Sequence, residues 1–284
     1  MKICKTIDDM RAASTAARRE GKRLGFVPTM GALHEGHLSL VRRAKANGDV
    51  VAVSIFVNPL QFGPSEDLAK YPRSFERDRE FLEKEAVDIL FAPKPEEMYP
   101  AGAVTYVTVE GLSEKLCGKS RPGHFRGVTT VVAKLFHIVE PDLAFFGQKD
   151  AAQTTIIRRM VRDLNLPVEI VVCPIVREPD GLAMSSRNAY LNPQERESAL
   201  VLHRALTQVE TRFDQGERNA ATLTDAARQL LALESTVRLD YFEIVDPATL
   251  DPMQELTSPA LVAVAAFLGN TRLIDNILLP KPSS

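Results

Sequence analysis

The chain has 284 residues, of which 45% are hydrophobic and 25% are charged, and 35 Lys and Arg against 37 Asp and Glu leave a formal net charge of −2. This is the composition of a globular protein with one large domain or two, and it excludes collagen-like, disordered and disulfide-scaffold proteins. The near balance of charge removes any global reason to expect nucleic acid or an anionic membrane as a partner.

The first part of the chain alternates segments of helical and strand-like composition. Residues 7–20 are helical in composition and end at Gly21, and the apolar run 24–27 is stopped by Pro28. Continuous apolar runs of this kind predict strands buried on both faces of a parallel sheet. Helix and strand then take turns in the segments 37–47, 50–57, 74–85, 87–91, 128–139, 143–146, 150–163 and 168–172. This alternation predicts an α/β fold with a Rossmann-like, doubly wound parallel sheet.

The pattern changes beyond Pro174. Two helical segments and then three strand-like segments follow a loop region, at 195–213, 220–234, 239–245, 261–267 and 273–279. Strands that follow one another without helices between them predict a smaller α+β domain with an antiparallel sheet. We therefore expect two domains, residues 1–175 and 176–284, with the active site between them and the second domain acting as a lid.

The three cysteines, Cys4, Cys117 and Cys173, are scattered and have no CxxC spacing. Isolated thiols in odd number are typical of a reducing compartment and predict neither a disulfide framework nor a zinc site. The N-terminal segment is charged throughout, and the most apolar stretch, residues 260–269, is about half of the roughly 20 residues that span a bilayer. We expect a cytoplasmic protein with no membrane partner.

The loop between the first strand and the next helix carries two histidines and two glycines, in the sequence PTMGALHEGH. Ligands of open α/β sheets bind beyond the carboxyl ends of strands, and a helix N-terminus favours phosphate. His34 and His37 are three residues apart, so both imidazoles can face one bound anion. A metal pair and an ordinary helix cap are the alternatives, and the spacing is not that of HExxH zinc sites. The chain has no GxGxxG sequence, which argues against a nicotinamide cofactor.

Polar residues follow three further segments. Gln61 comes after the second strand and suits a carboxylate or hydroxyl, although a simple turn explains it equally well. Lys149 follows a glycine at a helix start and suits a phosphate, with a capped surface helix as the alternative. At the expected domain boundary, Ser185, Ser186 and Arg187 can bind a polyphosphate or form a polar linker.

Together these motifs resemble a known family. The HEGH loop and the Met-Ser-Ser-Arg loop resemble the HIGH and KMSKS pair of adenylate-forming and nucleotidyl-transferring enzymes. The longer stretches PTMGALHEGHLSL, SIFVNPLQFG, YPRSFERD, RPGHFRGV, FGQKDAAQ and VREPDGLAMSSRNAYL are similar to those of pantothenate synthetases, the pantoate–β-alanine ligases. The similarity covers residues 24–191, and the C-terminal third matches in size and pattern.

The resemblance implies condensation of (R)-pantoate with β-alanine through a pantoyl adenylate, with conversion of ATP to AMP and pyrophosphate. It implies catalytic roles for His34, His37, Lys149, Ser185, Ser186 and Arg187. The ATP-binding positions that it implies are Met30, Gly31, His34, Gly36, His37, Gly147, Gln148, Lys149, Asp150, Val176, Met184, Ser185, Ser186 and Arg187. The positions implied for the substrates pantoate and β-alanine are Asn58, Gln61, Arg121 and Gln153, and Asp78 is implied as a ligand of Mg²⁺.

The resemblance also implies a homodimer. Gln148 departs from the family pattern, in which glutamate is expected between Gly147 and Lys149, and we expect this change to affect ATP affinity rather than the reaction. One alternative is a nucleotidyltransferase or tRNA synthetase-like protein with the same HxGH loop, against which the net charge argues. The other is a nucleotide-binding sensor that closes on ATP without turnover.

Overall fold

The computed structural model describes residues 1–64 and 66–280. The strands are β1 Lys2–Cys4, β2 Leu24–Thr29, β3 Val50–Ile55, β4 Ile89–Phe91, β5 Leu143–Gly147, β6 Glu169–Cys173, β7 Val237–Val245, β8 Ala260–Leu268 and β9 Thr271–Leu279. The helices are α1 Ile7–Arg19, α2 Glu35–Asn47, α3 Phe75–Lys84, α4 Pro95–Met98, α5 Cys117–Ser120, α6 His124–Val139, α7 Ala151–Asp163, α8 Pro193–Ser198, α9 Leu200–Asp214 and α10 Ala220–Ala232. Across the described ranges, the strands form a six-stranded parallel sheet, β1-β4-β3-β2-β5-β6, and a three-stranded antiparallel sheet, β7-β8-β9.

Helices cover both faces of the parallel sheet because its central strands are apolar on both faces. In β2, Phe26 belongs to the apolar cluster formed with α1, α6 and α7, whereas its neighbour Val27 belongs to the cluster formed with α2 and α3. Successive side chains of a strand point to opposite faces, and both of these side chains are fully buried because helices cover each face. The predicted doubly wound α/β sheet is confirmed.

The strand order reverses beside β2, and this reversal positions the site. β2 pairs with β3 on one side and with β5 on the other, so that Gly25 lies opposite both Val51 and Leu143. A crevice forms at such a switch point, beyond the carboxyl ends of the two strands whose connections leave in opposite directions. The loops that follow β2 and β5 carry His34, His37 and Lys149, so the topology brings them to one place.

The antiparallel sheet is covered on both faces. Val262 and Val264 of β8 pack in the cluster formed with α9 and α10, whereas Leu261 and Ala263 belong to the large cluster of the parallel-sheet domain. This double coverage explains why β8 is apolar along its whole length. The predicted smaller α+β domain is confirmed, and one face of its sheet lies against the first domain.

Several elements differ from the sequence prediction, which also lacks the short helices α4 and α5 and begins α6 at 128 instead of His124. The sequence does not predict β1, because three residues at a sheet edge within a charged segment give no apolar run. The predicted helix 195–213 is two helices, and α8 begins with a capping box of Asn192 and Glu195. Residues 281–284, which the sequence assigns to the second domain, lie outside the described residues. In the part of the chain that is described, no helix is both long and apolar enough to cross a membrane.

Candidate active site

A buried aspartate of α3 shapes the loop that follows β2. The two oxygens of Asp78 accept hydrogen bonds from the backbone N–H groups of Ala32 and Leu33, each at 2.8 Å, and Ser74 donates its hydroxyl at 3.2 Å. Gly31 has a φ of +83°, and a Cβ at this position would lie 3.0 Å from the Asp78 carboxylate, so the turn requires glycine. Asp78 is 1% exposed and fixes the turn that leads into α2.

The two histidines cap α2 through their Nδ1 atoms. His34 Nδ1 accepts from Gly36 N at 3.1 Å, and His37 Nδ1 accepts from His34 N at 3.4 Å, which completes a capping box. Because both Nδ1 atoms accept, the hydrogen bonds assign the proton of each neutral ring to Nε2. The ring centroids lie 4.1 Å apart, so two Nε2–H donors are presented side by side. The helix-cap alternative therefore holds for Nδ1, while Nε2 is available to a ligand.

Burial keeps both imidazoles neutral. Burial and then the charge of Lys149 lower the pKa of His34 to about 4. Burial, His34 and Lys149 lower the pKa of His37 to about 3. At neutral pH the crevice therefore offers two uncharged donors close to one ammonium group, an arrangement that suits phosphate oxygens.

Asn58 orients Gln61 at the end of β3. Asn58 is 1% exposed, donates to Gly127 O at 3.0 Å and accepts from the Tyr99 hydroxyl at 2.8 Å. Its amide also donates to Gln61 Oε1 at 3.1 Å, and Gln61 Nε2 lies 3.0 Å from Met30 Sδ. The Gln61 amide is thereby held beside the loop that follows β2, which a simple turn would not require.

Arg121 lies between a carboxylate and a neutral histidine. Its guanidinium donates to the two oxygens of Glu66, at 2.8 and 2.5 Å, and to His124 Nε2 at 3.1 Å. His124 Nδ1 donates to Gln61 O at 2.8 Å, and burial followed by the charge of Arg121 lowers the pKa of His124 to about 4. The neutral His124 ring links Arg121 to the backbone that carries Gln61.

The loop at the start of the second domain joins the segment 66–71 of the first domain. The Ser186 hydroxyl lies 3.3 Å from the Tyr71 hydroxyl, and Arg187 donates to the two oxygens of Asp67 at 3.1 and 3.0 Å. Ser185 Oγ accepts from Arg187 N at 3.2 Å and caps the short helical turn. Asp67 thus occupies Nε and Nη2 of Arg187, whereas Nη1 makes no hydrogen bond in the described residues and can donate to a phosphate.

Gln148 faces the second domain. Its Nε2 donates to Asn276 Oδ1 at 2.9 Å, while Asn276 Nδ2 donates to the carbonyls of Gln148 and Lys149 at 3.0 and 2.9 Å. The Gln148 side chain therefore binds Asn276 of β9, and an ATP contact at this position, which stays a prediction, would have to come from its backbone.

The predicted site residues converge on a cavity of about 230 Å³. The predicted residues that line it are Met30, His34, Gly36, His37, Asn58, Gln61, Arg121, Gly147, Lys149, Asp150, Gln153, Val176, Met184, Ser185, Ser186 and Arg187. A cleft of about 910 Å³ between the domains adjoins it and shares Arg121, Lys149 and Arg187 with it. Gly31, Asp78 and Gln148 line neither space.

The environment of Asp78 is not that of a metal ligand. Its two oxygens face backbone donors, and no group of three or more His, Cys, Asp or Glu side chains within the described ranges could hold a metal ion. The prediction of Asp78 as a Mg²⁺ ligand is therefore corrected to a structural role. The donors around Asp78 do not fit a resident metal ion.

Sequence reasoning did not single out several residues of the site. Tyr71 lies within the motif YPRSFERD, and His124 lies in the loop 121–127, which the sequence offers as a weaker candidate for anion binding. Glu66, Asp67 and Asn276 have no local signal, because their partners lie 55, 120 and 128 residues away along the chain. Such pairings become visible only in the folded chain.

A doubly wound sheet that presents paired histidines at a helix N-terminus beside its switch point places the chain among nucleotide-binding α/β proteins with a HIGH-type loop. Residues 2–278 match the profile of a single family, described as Pantoate-beta-alanine ligase. The chain belongs to this family and is an enzyme of the ligase class.

Relatives agree with this assignment over nearly the whole chain. The pantothenate synthetase of Koribacter versatilis is 61% identical over 279 residues, covering 98% of this chain and 96% of the relative. The pantothenate synthetase of Thermotoga petrophila is 58% identical, and the match covers 98% of this chain and 100% of the relative. The crystal structure of the enzyme from Thermus thermophilus superposes with a TM-score of 0.93 at 48% identity, covering 98% and 99%. A ligase from Francisella tularensis, complexed with β,γ-ATP and β-alanine, has a TM-score of 0.82 at 35% identity and full coverage of both chains.

The depressed histidine pKa values predict acid sensitivity of the fold. Below the ordinary histidine pKa of about 6.5, His34 and His37 become protonated in the unfolded chain but stay neutral in the folded protein. Stability should therefore fall as the pH falls from about 6.5 towards about 4, by up to roughly 1.4 kcal/mol per pH unit for each histidine. Urea unfolding at several pH values measures this slope. It should be smaller in the His34→Gln/His37→Gln variant and unchanged by His137→Gln on the exposed face of α6, and an unchanged slope in the double variant would contradict the prediction.

Proposed function

We propose that the protein condenses (R)-pantoate with β-alanine to pantothenate, with ATP converted to AMP and pyrophosphate through a pantoyl adenylate. Family membership supports this reaction, and the ligands of the Francisella tularensis structure support ATP and β-alanine as substrates. In this chain, the pair of Nε2–H donors on His34 and His37, beside Lys149 at the switch point, supports the proposal most strongly.

We assign the amide side chains of the small cavity to pantoate. Gln61 and Gln153 both line it, and amides supply the donors and acceptors that a carboxylate and hydroxyls need. Asn58 and Met30 hold the Gln61 amide in one orientation. Pantoate is thereby presented to the nucleotide, which we place along the loops that follow β2 and β5 and the loop at 184–187.

In the first half-reaction, a carboxylate oxygen of pantoate attacks the α-phosphorus of ATP, and the bond from that phosphorus to pyrophosphate breaks. The carboxylate is already ionised at neutral pH, so this step needs no general base. The Nε2–H groups of His34 and His37 and the ammonium of Lys149 stabilise the negative charge that develops on the phosphates. Each such donor contributes about 2–4 kcal/mol in a site of this kind. Ser185, Ser186 and the Nη1 group of Arg187 add further donors.

In the second half-reaction, the neutral amine of β-alanine attacks the acyl carbon of the adenylate, AMP departs with the carboxylate oxygen, and the nitrogen loses one proton to water. We assign Arg121 to the carboxylate of β-alanine, which would replace Glu66 on the guanidinium, since Arg121 lines both the small cavity and the cleft. Positioning supplies much of the rate of such a step. We propose that residues 176–284 act as a lid that protects the mixed anhydride from water.

Mg²⁺ is proposed to enter with ATP as part of the substrate. Mg²⁺ commonly binds nucleotide phosphates and water with only one or two protein carboxylates. Asp150 lines the cavity, and in the described residues its carboxylate has no hydrogen bond or ion pair. It is therefore the carboxylate that we assign to the metal–nucleotide complex.

We further propose that the enzyme is a cytoplasmic homodimer. The three cysteines are unpaired and buried, which suits a reducing compartment. Val104 and Tyr106 are 81% and 46% exposed, and large exposed apolar side chains so close together support a contact with a second copy.

A coupled assay for AMP tests the proposed function. We expect steady AMP formation only when ATP, pantoate and β-alanine are all present, because the adenylate stays bound until an amine consumes it. Pyrophosphate should still form in a single turnover when β-alanine is omitted. Steady AMP formation without β-alanine, or none with all three substrates, would contradict the proposal.

The variant Asp78→Asn distinguishes a structural role of Asp78 from a role as a ligand of Mg²⁺. The amide must turn a donor towards the N–H of Ala32 or Leu33, which costs about 1–3 kcal/mol of stability and loosens the histidine loop. We expect a lower kcat with an unchanged Mg²⁺ concentration for half-maximal activity, measured by magnesium titration at saturating ATP. Glu76→Gln, on the exposed face of the same helix, is the matched control. A large rise in the Mg²⁺ requirement of Asp78→Asn alone would restore the metal assignment.

A further inference from the structure

Asn276 is a buried polar residue in a largely apolar sheet. It lies in β9 opposite Ala263 and is 3% exposed. Its Nδ2 donates to the carbonyls of Gln148 and Lys149, at 3.0 and 2.9 Å, and its Oδ1 accepts from Gln148 Nε2 at 2.9 Å. One amide of the second domain therefore holds the peptide groups on both sides of Lys149.

The turn that carries Lys149 has little support of its own. It is a three-residue segment, Gln148–Asp150, in front of α7. Its N-cap residue, Gly147, has no side chain to cap it, and the Asp150 side chain makes no capping hydrogen bond at the start of α7. The Thr154 hydroxyl donates to Asp150 O at 3.0 Å and holds the end of the turn. The carbonyls of Gln148 and Lys149 are held by Asn276, so we expect these two hydrogen bonds to set the direction in which the turn presents Lys149.

The preceding residue of β9 holds the other loop of the site. Asp275 accepts from two nitrogens of Arg177 at 2.6 and 3.0 Å, and Arg177 also donates to Gly181 O at 3.0 Å. Arg177 forms a backbone bridge with Ala183, directly before the loop at 184–187. Two consecutive residues of β9 thus tie the sheet of the second domain to both loops beside the crevice.

We infer that Asn276 is a positioning residue of the nucleotide site, which fixes the turn at Gln148–Asp150 so that the Lys149 ammonium is aimed at the phosphates. The inference rests on the proposed function, in which Lys149 contacts ATP. Small displacements of a charged group in a preorganised site are costly, and about 1 Å can lower a rate 100-fold. The second domain would then contribute to nucleotide binding through its sheet as well as through the loop at 184–187.

Two substitutions test this role. Asn276→Ala removes both donors, and Asn276→Asp replaces the donating nitrogen by an oxygen that faces two carbonyl oxygens. We expect both to weaken binding of a non-hydrolysable ATP analogue in calorimetry and to lower kcat/KM for ATP by on the order of 10- to 100-fold. KM for β-alanine should stay within about twofold of the wild type. Val264→Ala, at a fully buried position of the same sheet that faces α9 and α10, is the control for lost stability alone.

A double variant decides whether Asn276 acts through Lys149. In a Lys149→Ala background, Asn276→Ala should add less than about twofold, because the group that it positions is gone. The inference is overturned if Asn276→Ala binds the analogue as the wild type does, or if its full effect persists without Lys149. If the wild type forms no AMP from the three substrates, the proposed function fails instead, whereas analogue binding still reports on Asn276.

Discussion

Replacement of His37 by alanine is expected to slow pyrophosphate release from ATP and pantoate by on the order of 100- to 1,000-fold. The variant loses an Nε2–H donor held beside Lys149, where negative charge develops in the proposed first half-reaction. It also loses the Nδ1 acceptor of the capping box, at a cost of about 1 kcal/mol. That cost is small against the roughly 5–15 kcal/mol that is typical of folded proteins, so the variant should remain folded. A single-turnover pyrophosphate assay measures the effect.

Two further substitutions control this result. His37→Gln retains an N–H group near the position of Nε2 and should recover part of the lost rate. His137→Ala makes the same chemical change on the exposed surface of α6 and should leave the rate unchanged. Near-normal pyrophosphate release by folded His37→Ala would show that this imidazole does not stabilise the reacting phosphates.

Replacement of Lys149 by alanine should lower kcat/KM for ATP by on the order of 100- to 1,000-fold. Lys149 lines both the small cavity and the cleft and makes no ion pair in the described ranges, so its charge is available to the phosphates. Lys149→Arg keeps the charge but changes its shape and hydration, and should recover only part of the activity. Steady-state kinetics at varied ATP measures both variants.

An NMR titration tests the same electrostatic contact without turnover. The charge of Lys149 contributes to the low pKa of His34, after burial, so Lys149→Ala should raise that pKa. Lys94→Ala, at an exposed position before α4, is the matched control and should change neither the kinetics nor the titration. Unchanged ATP kinetics in Lys149→Ala would remove this residue from the mechanism.

The sequence predicts the elements of this protein well where local patterns decide the structure. The apolar runs of β2 and β3 require burial on both faces, and Gly31 of the histidine loop lies where the backbone turns sharply. His34 and His37 lie at the N-terminus of α2, after the first central strand, where the sequence places them, while their role in the reaction stays a prediction. The three-residue β1 is not found, because its pairing with β4 depends on a segment more than 80 residues away.

Other parts of the site depend on partners that no local pattern reveals. Asp78 resembles an acidic metal ligand in the sequence, yet the fold directs its oxygens at the backbone of a distant loop. The position of Gln148 in the sequence suggests a contact with the nucleotide, yet in the folded chain its side-chain amide donates a hydrogen bond to Asn276 of β9. In both cases only the tertiary contacts decide whether the polar side chain faces the ligand or supports the backbone.

Isotope transfer shows whether the carboxylate of pantoate attacks the α-phosphorus of ATP. Pantoate labelled with ¹⁸O in its carboxylate is incubated with ATP, β-alanine and the enzyme, and the AMP is analysed by mass spectrometry. An adenylate intermediate leaves one carboxylate oxygen on phosphorus when the amide forms, so each AMP should carry a single ¹⁸O atom. AMP without label, formed while pantothenate accumulates, would contradict the claim.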